Sequence, residues 1–277
     1  MLQIHGKEMS YNNFMDTESA INLVDDFTEP AFAIIKHMNA CGFAIDKDIS
    51  IAFKKAYASD PVSTFGGILA SNRPITKAVA EKIREVKLFV EVIIAPDFEK
   101  EAYEILEQKK DIRILKWKNP KLPKQQIKTC LTGLLVQDCD AKVETETDLK
   151  CVTVKEPSDV EKSDMLIANT LAKHLKSNAI AIIKNSQLLA MGCGQTSRVD
   201  ALKQAIKKAK NFSFDVRGAV MASEAFLPFN DCVEIAGQAG ITAVIQPGGS
   251  KGDQNSIDKC DELGLSMLFT GIRHFKH

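Results

Sequence analysis

The feature that most constrains this chain is that it repeats itself. AIIKHMNACGFAI, starting at Ala33, is echoed by AIIKNSQLLAMGCG, starting at Ala181. GGILASN (66–72) is echoed by GAVMASE (218–224), VIIAPD (92–97) by AVIQPG (243–248), and IRIL (112–115) by LSML (265–268). The matches keep the same order at a spacing of about 150 residues, a period that means two domains and not a solenoid. One chance match between apolar strands is commonplace. An ordered series of them points to a duplication.

Most of the echoed runs are short, apolar and β-branched. AFAIIK (31–36), FVEVIIAP (89–96), IRILKW (112–117), AIAIIK (179–184), GAVMAS (218–223), ITAVIQP (241–247) and LSMLFTG (265–271) read as buried strands. Helical patterns alternate with them. In RVDALKQAIKKAK the apolar Val199, Leu202, Ile206 and Ala209 share one face, with lysines on the other. Ser158 and Glu161 form a capping box at the head of a helix running towards Leu175. This alternation implies an α/β fold with layers around a largely buried sheet. The polar stretch DCDAKVETETDLKCVTVKEPSD separates the copies, giving domains at 1–150 and 151–277.

Composition narrows the function classes. The chain has 277 residues, with 36 Lys+Arg against 36 Asp+Glu and a formal net charge of +0, which argues against a general nucleic-acid binder. The seven cysteines are scattered, without a CxxC pair or an H-x-E followed by P-C-x-x-C, so neither a disulfide framework nor a zinc site is expected. No apolar run approaches a membrane span and MLQIHGKEMSYNN lacks a signal-like core, so the expected location is the cytoplasm, with no membrane partner.

Several segments could carry chemistry. AFAIIK runs directly into Lys36-His37, an ammonium beside an imidazole. On these two residues alone a solvated strand end is the simpler reading. Neighbours on a strand point to opposite faces, so the pair can serve one site only if the strand has ended. Asn39–Gly42 reads as a turn, which permits this. Lys173-His174 lies within a helical pattern and reads as a helix face. MGCGQTSRVDALKQA has the strand–glycine–helix layout of a phosphate cradle, but Ser197 stands where a third glycine would be. SDPVSTFGGILASN, ASEAFLPFNDCVEIA and IQPGGSKGDQ are each readable as ordinary loops. TGIRHFKH ends the chain in Arg273, His274, Lys276 and His277, anchored by the strand before them.

Taken in order, SYNN, IIKHMNACG, DPVSTFGG, VIIAPD, LLVQDCD, KSNAI, GQTSRVDA, SEAFLPFNDCVE, IQPGG and GIRHFKH resemble the transformylase part of the bifunctional purine biosynthesis family. That part is the aminoimidazolecarboxamide ribonucleotide (AICAR) formyltransferase. The resemblance runs from about Gly6 to the last residue. It implies duplicated cytidine-deaminase-like α/β/α subdomains without zinc. It also implies formyl transfer from the cosubstrate 10-formyltetrahydrofolate to the 5-amino group of AICAR, with no metal required. By resemblance, His37 is the base and Lys36 the partner of the oxyanion or of the leaving nitrogen, in the first domain. Asn13, Phe65, Gly66, Asn178 and Arg198 look like AICAR contacts, Arg273 like a phosphate-binding arginine, and His277 like a residue that orients substrate. Val199, Phe226, Pro228 and Asp231 look like the folate side. The family shares its sites between two subunits, so a homodimer is implied.

The sequence departs from the family in starting after the cyclohydrolase domain and the RYGENPHQ-like segment. Ring closure to inosine monophosphate is therefore not expected of it, and a separate cyclohydrolase chain is a conceivable partner. Asn230 and Glu224 stand where arginine and aspartate are common. The alternative reading is a truncated, weakly active chain that binds nucleotide or folate, or dimerises, without turnover.

Overall fold

The structure, a computed structural model, describes residues 1–118 and 123–277. Strand β1 (Leu2–His5) leads into helix α1 (Tyr11–Asp25) and the hairpin of β2 (Ala31–Lys36) and β3 (Asn39–Ile45). Then come α2 (Ile49–Ser59), β4 (Gly67–Ser71), α3 (Lys77–Glu85), β5 (Val90–Ala95), α4 (Lys100–Leu106) and β6 (Arg113–Lys116). A detached hairpin of β7 (Gln125–Cys130) and β8 (Gly133–Asp138) and the short β9 (Lys150–Cys151) follow. The chain then continues as α5 (Asp159–His174), β10 (Ile180–Lys184), β11 (Gln187–Gly192), α6 (Arg198–Asn211) and β12 (Val220–Ser223). It ends with α7 (Asp231–Ala239), β13 (Ala243–Gln246), α8 (Asp253–Leu263) and β14 (Ser266–Phe269). The element order from α1 to β6 recurs from α5 to β14.

One 12-stranded sheet carries both copies, in the order β1-β6-β5-β4-β2-β3-β11-β10-β12-β13-β14-β9. The order is palindromic about the β3–β11 contact, where the copies meet antiparallel with Ala44 opposite Gln187. In each copy an antiparallel hairpin borders three parallel strands.

Strand side chains alternate between two faces, which sorts the core into layers. Ala31, Ala33 and Ile35 of β2 and Ala181 and Ile183 of β10 join α1 and α5 in one core shared by both copies. Phe32 and Ile34 face α2, α3 and α4, whereas Ile180 and Ile182 face α6 and α7. The sheet is thus covered on both faces, which is why its strands read as unbroken apolar runs.

Two local expectations need correction. Asn39–Gly42 is not a turn but the start of β3, and the turn is His37-Met38. Gly42 is there because α2 packs against it: a Cβ would lie 2.2 Å from the Ala56 carbonyl oxygen. The buried face of α6 is Arg198, Ala201, Leu202, Ala205 and Ala209, with Val199 and Ile206 only half-buried. The small alanines allow close packing on β11, and this shifts the buried stripe away from the bulkier residues. The capping box at Ser158 and Glu161 is as expected, with the Glu161 carboxylate accepting the Ser158 amide at 2.8 Å.

Candidate active site

His37 and Met38 have φ values of 51° and 64°, the positive pair that makes a two-residue type I′ hairpin turn. Asn185 and Ser186, at 54° and 58°, make the same turn between β10 and β11. The surrounding contacts are duplicated too. Lys36 Nζ donates to the Phe65 carbonyl at 2.7 Å, and Lys184 Nζ donates to the Arg217 carbonyl at 2.6 Å. Each carbonyl precedes a glycine in the left-handed region, Gly66 at φ 69° and Gly218 at φ 73°. Asp16 of α1 accepts the Met38 amide at 2.7 Å, while Asp164 of α5 accepts the Asn185 and Ser186 amides at 2.7 and 2.8 Å. Lysine, glycine and aspartate are therefore parts of the repeated scaffold. The imidazole of His37, exposed where the second copy has Asn185, is the chemical difference between the two turns.

Sheet topology decides what faces this turn. Because β3 and β11 are antiparallel, the Lys36–Asn39 end of the first hairpin lies on the edge where β11 ends and β10 begins. The parallel strands β12, β13 and β14 exit on that same edge. Asn39 Oδ1 accepts the Lys176 amide at 3.1 Å, tying the two copies together there. The edge thus gathers Lys36, His37, Phe65 and Gly66 from one copy with Asn178, Arg198, Arg273 and His277 from the other. Asn13 joins them through α1, one turn before Asp16. Among the described residues, the opposite edge, which holds the Asn185-Ser186 turn, has no comparable histidine.

The second copy supplies a rigid cationic group. Arg198, almost fully buried, pairs with the fully buried Glu224 carboxylate and donates to Asn178 Oδ1 at 2.7 Å. Asn178 Nδ2 donates to the Gln195 carbonyl at 2.9 Å, so its amide is committed to holding Arg198. Asn13 is similarly engaged: its Oδ1 accepts from the Ser10 amide and hydroxyl at 3.1 and 2.9 Å as part of the α1 capping box. Arg273 is exposed and stacks over Phe275 at 5.7 Å, and the His277 ring lies parallel to Phe275 with centroids 6.0 Å apart. Phe65 is exposed and packs its ring on Phe89 at 5.2 Å.

Val199, Phe226, Pro228 and Asp231 lie further along the edge, at the head of α6 and in the loop from β12 to α7. Val199, Phe226 and Asp231 are half-buried and Pro228 is exposed. Asp231 Oδ1 accepts the Cys232 amide at 2.7 Å. None of the four is hydrogen-bonded to the Lys36–His37 turn among the described residues.

The sequence reading missed the residues that hold these groups in place. Asp16 and Asp164 fix the turns, Glu224 fixes Arg198, and Lys208 of α6 pairs with the buried Asp60 at the base of the Phe65 loop. Asp16 and Asp164 occupy matching places in the two copies, so carrying the echo into the helices would have found them. Lys173-His174 is a helix face, the last turn of α5, and a buried one. Both side chains are buried on Asp26, at 2.9 and 2.7 Å. Burial holds the His174 pKa below its ordinary value despite that carboxylate. Among the described residues no group of three or more His, Cys, Asp or Glu is placed to hold a metal ion, and no helix is long and apolar enough to cross a membrane.

The site defines a two-copy α/β protein with a cationic edge suited to an anionic ligand and a histidine in one of its two equivalent hairpin turns. A family model described as the AICARFT/IMPCHase bienzyme matches residues 1–208. The bifunctional purine biosynthesis protein PurH of Bacteroides thetaiotaomicron is 57% identical over 275 residues, covering 99% of this chain and 54% of that protein. PurH of Oceanobacillus iheyensis is 50% identical over 277 residues, covering 99% and 53%. The chain therefore belongs to the AICARFT/IMPCHase bienzyme family, and it spans about half the length of the curated relatives it matches. Among solved structures, a Thermotoga maritima diaminohydroxyphosphoribosylaminopyrimidine deaminase/5-amino-6-(5-phosphoribosylamino)uracil reductase matches at 20% identity, with a TM-score of 0.31 over 40% of this chain and 36% of that one. A cyanophage S-TIM5 dCMP deaminase matches at 19% identity, with a TM-score of 0.30 over 40% and 98%. These two likenesses are too weak to bear on the fold or the chemistry.

Proposed function

We propose that this chain transfers the formyl group of 10-formyltetrahydrofolate to the 5-amino group of AICAR, in purine biosynthesis. The observation that carries the reading is the shared edge, where the histidine-bearing hairpin of one copy is tied through Asn39 and Lys176 to the copy that holds the Asn178–Arg198–Glu224 cluster. Membership of a family whose relatives are bifunctional purine biosynthesis proteins supports it.

The chemistry asks for two groups. The 5-amino nitrogen is conjugated to its ring and nucleophilic only if a base takes its proton as it attacks the formyl carbon. Negative charge then develops on the formyl oxygen and needs a fixed donor. His37 is the base, its imidazole exposed at the turn. Lys36 is the donor. One of its N–H groups is held by the Phe65 carbonyl, which fixes the ammonium and leaves two for the oxyanion and for the folate nitrogen as the carbon–nitrogen bond breaks. Arg273 receives the anionic end of the nucleotide, a guanidinium fork matching phosphate better than an ammonium does, and Arg198, held by Glu224 and Asn178, is a further AICAR contact. His277 and Asn13 orient the substrate, and Val199, Phe226, Pro228 and Asp231 take the folate.

The active species is a homodimer. The β7–β8 hairpin pairs only with itself among the described strands, and Ile127, Leu134 and Val136 are exposed on it, apolar surface that a second copy covers. The division near residue 150 separates a half that supplies the acid–base pair from a half that supplies most of the binding groups. The test is direct: purified protein, AICAR and 10-formyltetrahydrofolate, without ATP or formate, release tetrahydrofolate and formyl-AICAR. No folate-dependent turnover at micromolar protein defeats the reading.

A further inference from the structure

His274 lies outside the chemistry just described, yet it is the most enclosed residue of the C-terminal tail, at 2% exposure. Its Nδ1 is 2.6 Å from Asp140 Oδ2, and its Nε2 is 3.1 and 3.3 Å from the two oxygens of Glu144. Carboxylates only accept hydrogen bonds. A neutral imidazole donates from one nitrogen alone, so it would leave the other facing an acceptor with nothing to give. With both carboxyl groups ionised, only the imidazolium satisfies both sides. We propose that His274 is a charged clasp that positions the tail, so that Arg273 before it and His277 after it are presented to the substrate. This rests on the function proposed above, since it assigns the tail to AICAR binding.

The packing around the clasp supports a fixing role. The backbone of His274 is held as well, its amide donating to the Glu224 carbonyl at 2.9 Å. That carbonyl belongs to the residue whose carboxylate grips Arg198, so the tail and Arg198 share one anchor. Asn169 of α5 donates to Glu144 at 2.9 Å and fixes it from behind. Further along the tail, the Ser177 amide donates to the Lys276 carbonyl at 2.9 Å, and Lys276 Nζ donates to the His174 carbonyl at 3.2 Å. The other charged groups packed near this region are Lys173, which bridges Asp26 and the Lys142 carbonyl, and Lys142, which pairs with Asp148. Burial works against charge on His274, but the bonds from Asp140 and Glu144 outweigh it and raise its pKa to about 9. Burial likewise opposes charge on Asp140, and the His274 contact more than offsets it, holding that pKa below the usual carboxylate range.

The test compares wild type with His274→Gln and His274→Gln/Asp140→Asn. The single variant leaves two carboxylates without their cation, and the double variant removes one of those charges. For His274→Gln the KM for AICAR should rise about tenfold or more while kcat stays within about threefold, because the tail binds and does not react. The double variant should recover part of the loss. In wild type the KM should also rise as pH passes about 9, the value to which the clasp is raised, and this step should vanish in His274→Gln. Nitrogen-15 shifts of His274 should report both ring nitrogens protonated at pH 7.5. A neutral ring there, or KM and pH profile unchanged in His274→Gln, overturns the clasp. Wild type that neither binds nor transforms AICAR instead defeats the proposed function, and the nitrogen shifts still decide whether the clasp is charged.

Discussion

Lys36 and Lys184 make the same bond at the same place in the two copies, and only Lys36 is followed by a histidine. This separates scaffold from chemistry at single residues. Lys184→Met should lower stability by about 1 kcal/mol, the net worth of one hydrogen bond, and leave turnover within about twofold. Lys36→Met should have the same effect on thermal unfolding but, under the proposed mechanism in which the ammonium stabilises the oxyanion, should also reduce kcat by at least about tenfold. Unfolding curves and initial rates on both variants check this. The pair Lys36-His37 was legible in the sequence as a place where chemistry could occur. Its geometry was not. A two-residue type I′ turn usually announces itself by Asn-Gly or Asp-Gly, and His-Met gives no such sign. Gly42 offered a false one, because it serves the close approach of α2.

At the scale of elements, α1 and α5 each lend an aspartate to the turn of the hairpin they cover. Asp164→Ala removes the acceptor of two part-buried turn amides and should cost about 1 kcal/mol in denaturant unfolding. Asp16→Ala should cost less, since it loses one bond, but should lower kcat as well by loosening His37. The apolar strands were readable because burial on both faces leaves unbroken apolar runs. The Ser158 cap was readable because capping is local. The stripe on α6 was misplaced because alanine, which periodicity weighs lightly, is what lets that helix approach β11. The supporting carboxylates Glu224, Asp140 and Glu144 were invisible for a different reason: each meets a partner distant in the chain, and no spacing rule encodes that.

At the scale of the molecule, the duplication was legible from the ordered echoes, but which edge of the sheet pairs with which was not. That follows from the antiparallel meeting of β3 and β11, through a single bridged pair. It puts the first copy's turn beside the second copy's strand exits. Buried charge also sets a global pH dependence. The folded pKa of His274 is raised, so its stabilisation is complete below the ordinary histidine value near 6.5 and is lost as pH rises through about 9. The Asp26 and Asp140 pKa values are lowered against the pull of burial, so their contributions are complete above the ordinary carboxylate value and are lost as pH falls below it through the lowered folded values. Melting temperature should therefore plateau between these limits, and the alkaline fall should be smaller in His274→Gln. Sedimentation should give a dimer, and Leu134→Lys with Val136→Lys should give a monomer.

The central claim is that one turn of a duplicated scaffold became a reaction site by acquiring a histidine. The most direct test is kcat for formyl transfer to AICAR in wild type and His37→Ala, with AICAR affinity measured alongside. The account predicts unchanged folding, affinity within about threefold, and a loss of about 100-fold or more in kcat, the usual worth of a general base. A His37→Ala protein that transfers the formyl group at the wild-type rate would contradict it.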